Sequence, residues 1–173
     1  MEKLKLYTVD EQYVRYLRGF DARVMFWNCP HYKKQRKYLG VVLKINGFEY
    51  FAPLSSPKET DYIYIKGEKR VRKNTVSIIR LVSDKGRLLG KVKLSNMIPV
   101  QPEFVELYDL IAETDRKYAN LVQDEMICIR KCKSEILRNA QILYNQKVKG
   151  YSGIGYLNSN VDFKRLEQAC LAF

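Results

Sequence analysis

The stretch Phe51-Ala52-Pro53-Leu54-Ser55-Ser56-Pro57-Lys58 holds the residues best suited to chemistry. Two hydroxyls and a lysine stand beside two prolines, whose fixed φ preorganises the neighbouring side chains. A serine hydroxyl can hydrogen-bond a ribose 2′-OH or relay its proton. A lysine or arginine can stabilise the charge that grows on a phosphate in a transition state. Such a set could cut RNA without a metal, using the ribose 2′-OH as internal nucleophile. On spacing alone a capped Ser-Pro turn is the simpler account, because Ser and Lys are ordinary loop residues.

The charge shows what this segment would face. The 173 residues hold 31 Lys and Arg, 19 Asp and Glu and one His, a net charge of +12. An excess of that size on one domain points to an anionic partner. It is uneven: residues 1–60 carry a net +5, residues 61–100 a net +7, and residues 101–173 none. Two clusters dominate, Lys33, Lys34, Arg36, Lys37 and Lys66, Lys69, Arg70, Arg72, Lys73, interleaved with Tyr32, Tyr38, Tyr62 and Tyr64. Cations for phosphates and rings for stacking suit single-stranded nucleic acid, although a solvated basic face with core tyrosines gives the same pattern. His31 stands alone, which excludes paired-histidine catalysis. Cys29, Cys128, Cys132 and Cys170 are scattered, so reduced thiols are expected and no metal site is. No apolar run reaches the roughly 18 residues of a membrane span. The charged start, Met1-Glu2-Lys3-Leu4-Lys5, lacks a signal-peptide core, so a cytoplasmic protein is expected.

The elements that must position these residues follow from pattern. Leu4 to Val9 reads as a strand, and Asp10 as the N-cap of a short helix to about Gly19 with Tyr13, Val14 and Leu17 on one face. Residues 20–36 read as loop. Tyr38 to Ile45, Asn46-Gly47 and Phe48 to Leu54 make a hairpin, with Pro53 and Pro57 bracketing a break after it. Tyr62 to Ile65, Val76 to Val82, Leu88 to Leu94 and Met97 to Val100 are further strands, the second and third joined at Asp84-Lys85-Gly86. Then the period changes. Val122, Met126, Ile129, Cys132, Ile136, Ala140 and Leu143 form one stripe of a long helix. Gly150, Gly153 and Gly155 follow a helix rather than a strand, so they read as a plain loop. Asn160 or Asp162 caps a last helix through Cys170. Strands first and helices after predict one α+β domain over residues 1–173: a twisted antiparallel, barrel-like sheet core with C-terminal helices packed on it.

The chain resembles the ToxN/AbiQ-like endoribonuclease toxins of bacterial type III toxin–antitoxin systems. The resemblance is carried by Leu6-Tyr7-Thr8, Tyr13 to Leu17, Phe20-Asp21, Val24, Arg36 to Val42, Tyr50 to Lys58 and Asn96-Met97-Ile98-Pro99-Val100. The Ala-Pro-Leu-Ser-Ser-Pro-Lys block and the Met-Ile-Pro segment are its specific parts; the helical half matches only in kind. The resemblance implies metal-independent RNA cleavage that leaves a 2′,3′-cyclic phosphate, with no cofactor. It implies a small RNA antitoxin, processed by the toxin from a repeat transcript, folded as a pseudoknot and held in closed toxin–RNA assemblies, and a role in phage defence. It places the catalytic hydroxyl on Ser56 and a cation on Lys58. Ser55 stands where relatives often have Thr, Arg36 where some have Lys, and Tyr32 at an upstream tyrosine. Arginine keeps the charge but cannot donate a proton at neutral pH, so Arg36 reads as a phosphate clamp.

Three readings follow. The first is the endoribonuclease toxin, with Lys33, Lys34, Lys37, Lys66, Lys69, Arg70, Arg72 and Lys73 holding RNA over the sheet half. Lys131, Lys133 and Arg138 on the long helix would then reach a second RNA. The second is a non-catalytic RNA-binding module. The third, a DNA-binding repressor, lacks a helix-turn-helix pattern before a basic helix.

Overall fold

Asn46 and Gly47 sit at φ of 52° and 81°, as the central residues of a type I′ turn must. The turn joins β2 (Tyr38–Ile45) to β3 (Phe48–Ser55) in a computed structural model that describes residues 3–26 and 34–173. Before them come β1 (Lys5–Val9) and α1 (Glu11–Phe20). Asp10 accepts the Tyr13 N–H at 2.8 Å and so caps α1, which buries Tyr13, Val14 and Leu17. After β3 come β4 (Tyr62–Ile65), β5 (Glu68–Val71), β6 (Ile78–Val82), β7 (Leu88–Lys93), β8 (Ile98–Pro99) and β9 (Val105–Leu107). The helices α2 (Arg116–Lys131), α3 (Lys133–Val148) and α4 (Phe163–Ala172) complete the chain.

The main sheet is antiparallel, in the order β6-β7-β3-β2-β1-β9, with β8 also against β3. Its edges are β6 and β9, so the barrel-like sheet is open rather than closed. β3 changes partner along its length. It pairs with β2 from Phe48 to Pro53, with β8 at Tyr50 and Phe51, and with β7 at Leu54 and Ser55. Pro53 does not end the strand. It lies opposite Tyr38, and the next residue supplies the bond the ring cannot, Leu54 N–H to the Lys37 carbonyl at 2.9 Å.

The expected single long helix is two. Cys132 leaves helical geometry (φ −102°, ψ 16°) between α2 and α3. The stripe continues across the break, with Val122, Ile129, Ile136, Ala140 and Leu143 all buried. The break lets α2 pack on β6 and β7 while α3 turns to pack on β2. Asp162, not Asn160, caps α4 by accepting the Arg165 N–H at 3.1 Å. Two short strands escaped the sequence pattern. β9 has three residues, and β5 lies inside the second basic cluster. β4 and β5 form a separate hairpin closed by Lys66-Gly67, whose φ angles of 49° and 80° repeat the type I′ geometry. One apolar cluster joins the strand half to the helical half through Tyr13, Tyr50, Phe51 and Phe163. Among the described residues no helix is long and apolar enough to cross a membrane.

Candidate active site

Where β3 hands over from β2 to β7, its last residues leave the core and turn outward. Ser55, Ser56 and Lys58 there line one cleft of about 570 Å³ together with Arg36, Lys37 and Glu125. Tyr118 and Leu121 of α2 wall one side, and Met25 and Phe26 another. A second cleft of equal volume, between β1, β9 and α2, is lined mainly by apolar side chains and brings none of these groups together.

Arg36, Lys37 and Lys34 are held by their own local contacts. Arg36 Nη1 donates to the Leu54 carbonyl at 2.8 Å, which fixes the guanidinium beside the end of β3. Its Nε–H is buried without a partner among the described residues, an unmet donor of the kind a phosphate oxygen satisfies. Lys37, only 8% exposed, donates to the Gln35 carbonyl at 2.9 Å and lies 4.4 Å over the Tyr108 ring. Burial lowers its pKa, Lys34 adds to the fall and Glu113 opposes it. Lys34 pairs with Glu113 and lies 4.3 Å over the Tyr118 ring.

Lys58 is aimed by a turn. Its N–H donates to Asp61 Oδ2 at 2.8 Å. The Asp61 side chain is 2% exposed and pairs with Arg80 at 3.0 Å and with Lys91. Burial works against the charge on Asp61, but Lys91, the Lys58 N–H and Arg80 hold its carboxyl below the usual range. Lys93 adds another cation. Burial lowers its pKa, and the charges of Lys91, Lys58 and Arg36 lower it further. Arg36, Lys58, Arg80, Lys91 and Lys93 therefore gather around the end of β3, where Asp61 is already bound to Arg80 and Lys91. That field suits a phosphodiester.

Across the cleft, Glu125 lies against β7 at Gly90. A Cβ there would stand 2.3 Å from Glu125 Oε1 and 3.3 Å from the Ser55 carbonyl oxygen. Burial raises the Glu125 carboxyl to about 7.

The family described as Toxin ToxN, type III toxin-antitoxin system, matches residues 5–171. The chain belongs to the ToxN toxin family. Endoribonuclease AbiQ of Lactococcus lactis subsp. lactis is 31% identical over 169 residues, 95% of this chain and 86% of AbiQ. Endoribonuclease ToxN of Pectobacterium atrosepticum is 30% identical over 149 residues, 85% of this chain and 83% of that protein. A solved structure from work on a bacterial antiviral system regulated by a processed non-coding RNA matches at a TM-score of 0.83 and 28% identity, covering 98% of both chains.

In this ToxN-family chain the structure brings Arg36, Ser55, Ser56 and Lys58 to one cleft, with Lys34 and Lys37 on its lining. Tyr32 and Lys33 lie outside the described residues, as do Cys29 and His31. Lys66, Lys69, Arg70, Arg72 and Lys73 lie on or beside the β4–β5 hairpin, off the cleft lining. Lys69 pairs with Glu59 at 2.9 Å and lies 4.2 Å over Tyr62, and Arg70 pairs with Glu68 at 2.8 Å. Tyr64 on this hairpin is 64% exposed. The hairpin is rooted beside the cleft, since the Arg72 N–H donates to the Asp61 carbonyl at 2.8 Å. On α2, Lys131 pairs with Asp84 at 2.6 Å. Among the described residues no group of three His, Cys, Asp or Glu could hold a metal ion.

Residues of the site not singled out from the sequence include Asp61, Arg80, Lys91, Lys93, Tyr118 and Glu125. Glu125 had a signal. It stands three residues after Val122 and four before Ile129, an acid among residues that face the core. The others read as ordinary turn, strand and helix residues until the fold places them.

Proposed function

We propose that this chain is an endoribonuclease toxin that cuts RNA at the cleft by attack of the ribose 2′-OH, leaving a 2′,3′-cyclic phosphate without a metal. One observation carries the assignment of the site: Arg36, Ser55, Ser56 and Lys58 converge on one cation-rich cleft in a ToxN-family chain. The relatives' own description as endoribonucleases supports the reaction class. Ser56 and Lys58 orient the 2′-OH. Arg36 and Lys58 stabilise the phosphorane-like transition state, while Ser55 and Tyr32 position the scissile phosphate.

The inhibitor is a small pseudoknot RNA that the toxin cuts from a repeat transcript. It lies over the basic sheet half, gripping the β4–β5 hairpin and covering Ser56 and Lys58. Toxin and RNA form a closed assembly in the cytoplasm, and the system acts in phage defence. The processed non-coding RNA of the matched antiviral system supports an RNA partner. Lys69, Arg70 and Tyr64, exposed on a hairpin rooted at the cleft, offer the cations and ring it needs.

The test uses the 173-residue chain, stripped of nucleic acid by high salt and incubated with end-labelled RNA in EDTA. Cleavage with cyclic-phosphate ends is expected. Retention of RNA without cleavage would make the chain a binding module instead.

A further inference from the structure

We propose that Glu125 is the proton acceptor of the cleft, taking the proton of the attacking 2′-OH. The inference rests on the nuclease reading above and adds the group that reading leaves unnamed.

Glu125 is 8% exposed and lines the same cleft as Ser55, Ser56 and Lys58. Among the described residues it makes no hydrogen bond and no ion pair. A largely buried carboxyl without a protein partner carries a desolvation cost, and leucine or glutamine would pack on β7 at less expense. In this conformation its Oε1 lies over residue 90, a glycine, where a Cβ would stand 2.3 Å away.

The neighbours leave the role open to this group. From its own helix Tyr118 and Cys128 face it, and across the cleft stand Lys34, Arg36, Lys37 and Lys58. Lys91 points from the other face of β7, where Asp61 holds it. Arg36 is always charged and cannot accept a proton. Lys37 has its Nζ committed to the Gln35 carbonyl and the Tyr108 ring. A serine hydroxyl alone is too weak a base at neutral pH. Burial sets the Glu125 carboxyl near 7, so both of its forms are populated where proton transfer is most effective.

The step balances. The 2′-O–H bond breaks and its proton passes to the Glu125 carboxylate. The freed electron pair forms the bond to phosphorus. The P–O5′ bond breaks, and the 5′ oxygen takes a proton from the Lys58 ammonium. Exchange with solvent then removes the proton from Glu125 and restores the one on Lys58.

The experiment is a pH–rate profile of RNA cleavage from pH 5 to 9 for the wild-type chain, Glu125→Gln and Glu125→Asp, with RNA affinity and melting temperature measured alongside. For wild type, kcat/KM should rise tenfold per pH unit and level off near the value set by burial. Glu125→Gln should fall by about 10²-fold or more at pH 8 and lose the rise, as expected for removal of a general base. It should bind RNA within about twofold of wild type and melt no lower at pH 8, because a buried charge has gone. Glu125→Asp should keep a pH-dependent rise at a lower plateau. A wild-type profile in Glu125→Gln, or equal loss of RNA binding and cleavage, overturns the inference. A wild-type chain that cuts no RNA overturns the nuclease reading beneath it.

Discussion

Replacing Asp61 by asparagine tests how the Lys58 turn is held. The carboxylate meets Arg80 through Nε at 3.1 Å and Nη2 at 3.0 Å, meets the Lys91 ammonium, and accepts the Lys58 N–H. Arg80 and Lys91 are 9% and 5% exposed. Asparagine is nearly isosteric, so packing survives, but both cations lose the one counter-charge they have among the described residues, and one acceptor becomes a donor facing a cation. Stranding one side of a buried pair costs about 3–5 kcal/mol. Total stability is about 5–15 kcal/mol, so the loss is a large share. At about 2–4 °C per kcal/mol for a chain this size, the melting temperature should drop by roughly 6–20 °C. Urea unfolding followed by circular dichroism reads it directly. Adding Lys91→Met should recover part of the loss by removing one stranded charge. The pH dependence has a definite sign. A carboxyl held below its unfolded pKa stabilises above that pKa and stops doing so as pH falls through its folded value. Wild type should thus lose stability in acid, and Asp61→Asn should lack that share of the fall. A loss below about 1 kcal/mol at pH 7 would refute the reasoning, since an exposed pair costs no more.

Three further outcomes follow from the site. Ser56→Ala should lower cleavage by about 10²-fold or more while leaving RNA binding nearly intact, because a hydroxyl is lost and no charge; a gel assay of cleavage beside a gel shift checks both. Arg36→Ala and Lys58→Ala should each cripple cleavage and reduce the slope of log affinity against log salt by about 0.7, the share of one phosphate contact on a single strand. Neutralising Lys69, Arg70, Arg72 and Lys73 together should release the inhibitory RNA in a gel shift. Neutralising Lys131, Lys133 and Arg138 should change assembly size in light scattering more than inhibition.

Local chemistry was legible from the sequence wherever a few adjacent residues decide it. Asn46-Gly47 dictated its hairpin, Asp10 its cap, and the stripe from Val122 to Leu143 its buried face. The helix break at Cys132 was not legible, because α2 and α3 follow different parts of the sheet while the apolar spacing runs through unbroken. β5 was hidden because its pattern is charged on both faces, and the turn at Lys66-Gly67 lacks the usual Asn or Asp. In the site, the Ser55–Lys58 segment drew notice by its residue types, but the roles of Arg36, Ser55, Ser56 and Lys58 came from the family resemblance, since spacing alone reads as a capped turn. Asp61 and Lys93 could not be named either way. Their significance lies in which cations the β3–β7 pairing sets beside them, and register is a property of the folded sheet.

The cleft's walls come from four stretches of chain: residues 25–26, 34–37, 54–58 and 118–125. Contacts between such distant stretches form late, because their loop-closure entropy comes before any reward. The β2–β3 hairpin, with its two-residue turn, can form transiently before α2 is synthesised, although a lone hairpin is only marginally stable. At that stage Ser56 and Lys58 exist, but the wall carrying Tyr118 and Glu125 does not. A half-made chain therefore has an incomplete cleft, which is whole only once the helical half has emerged and docked. The cell that translates this protein meets its chemistry at the end of folding rather than during it.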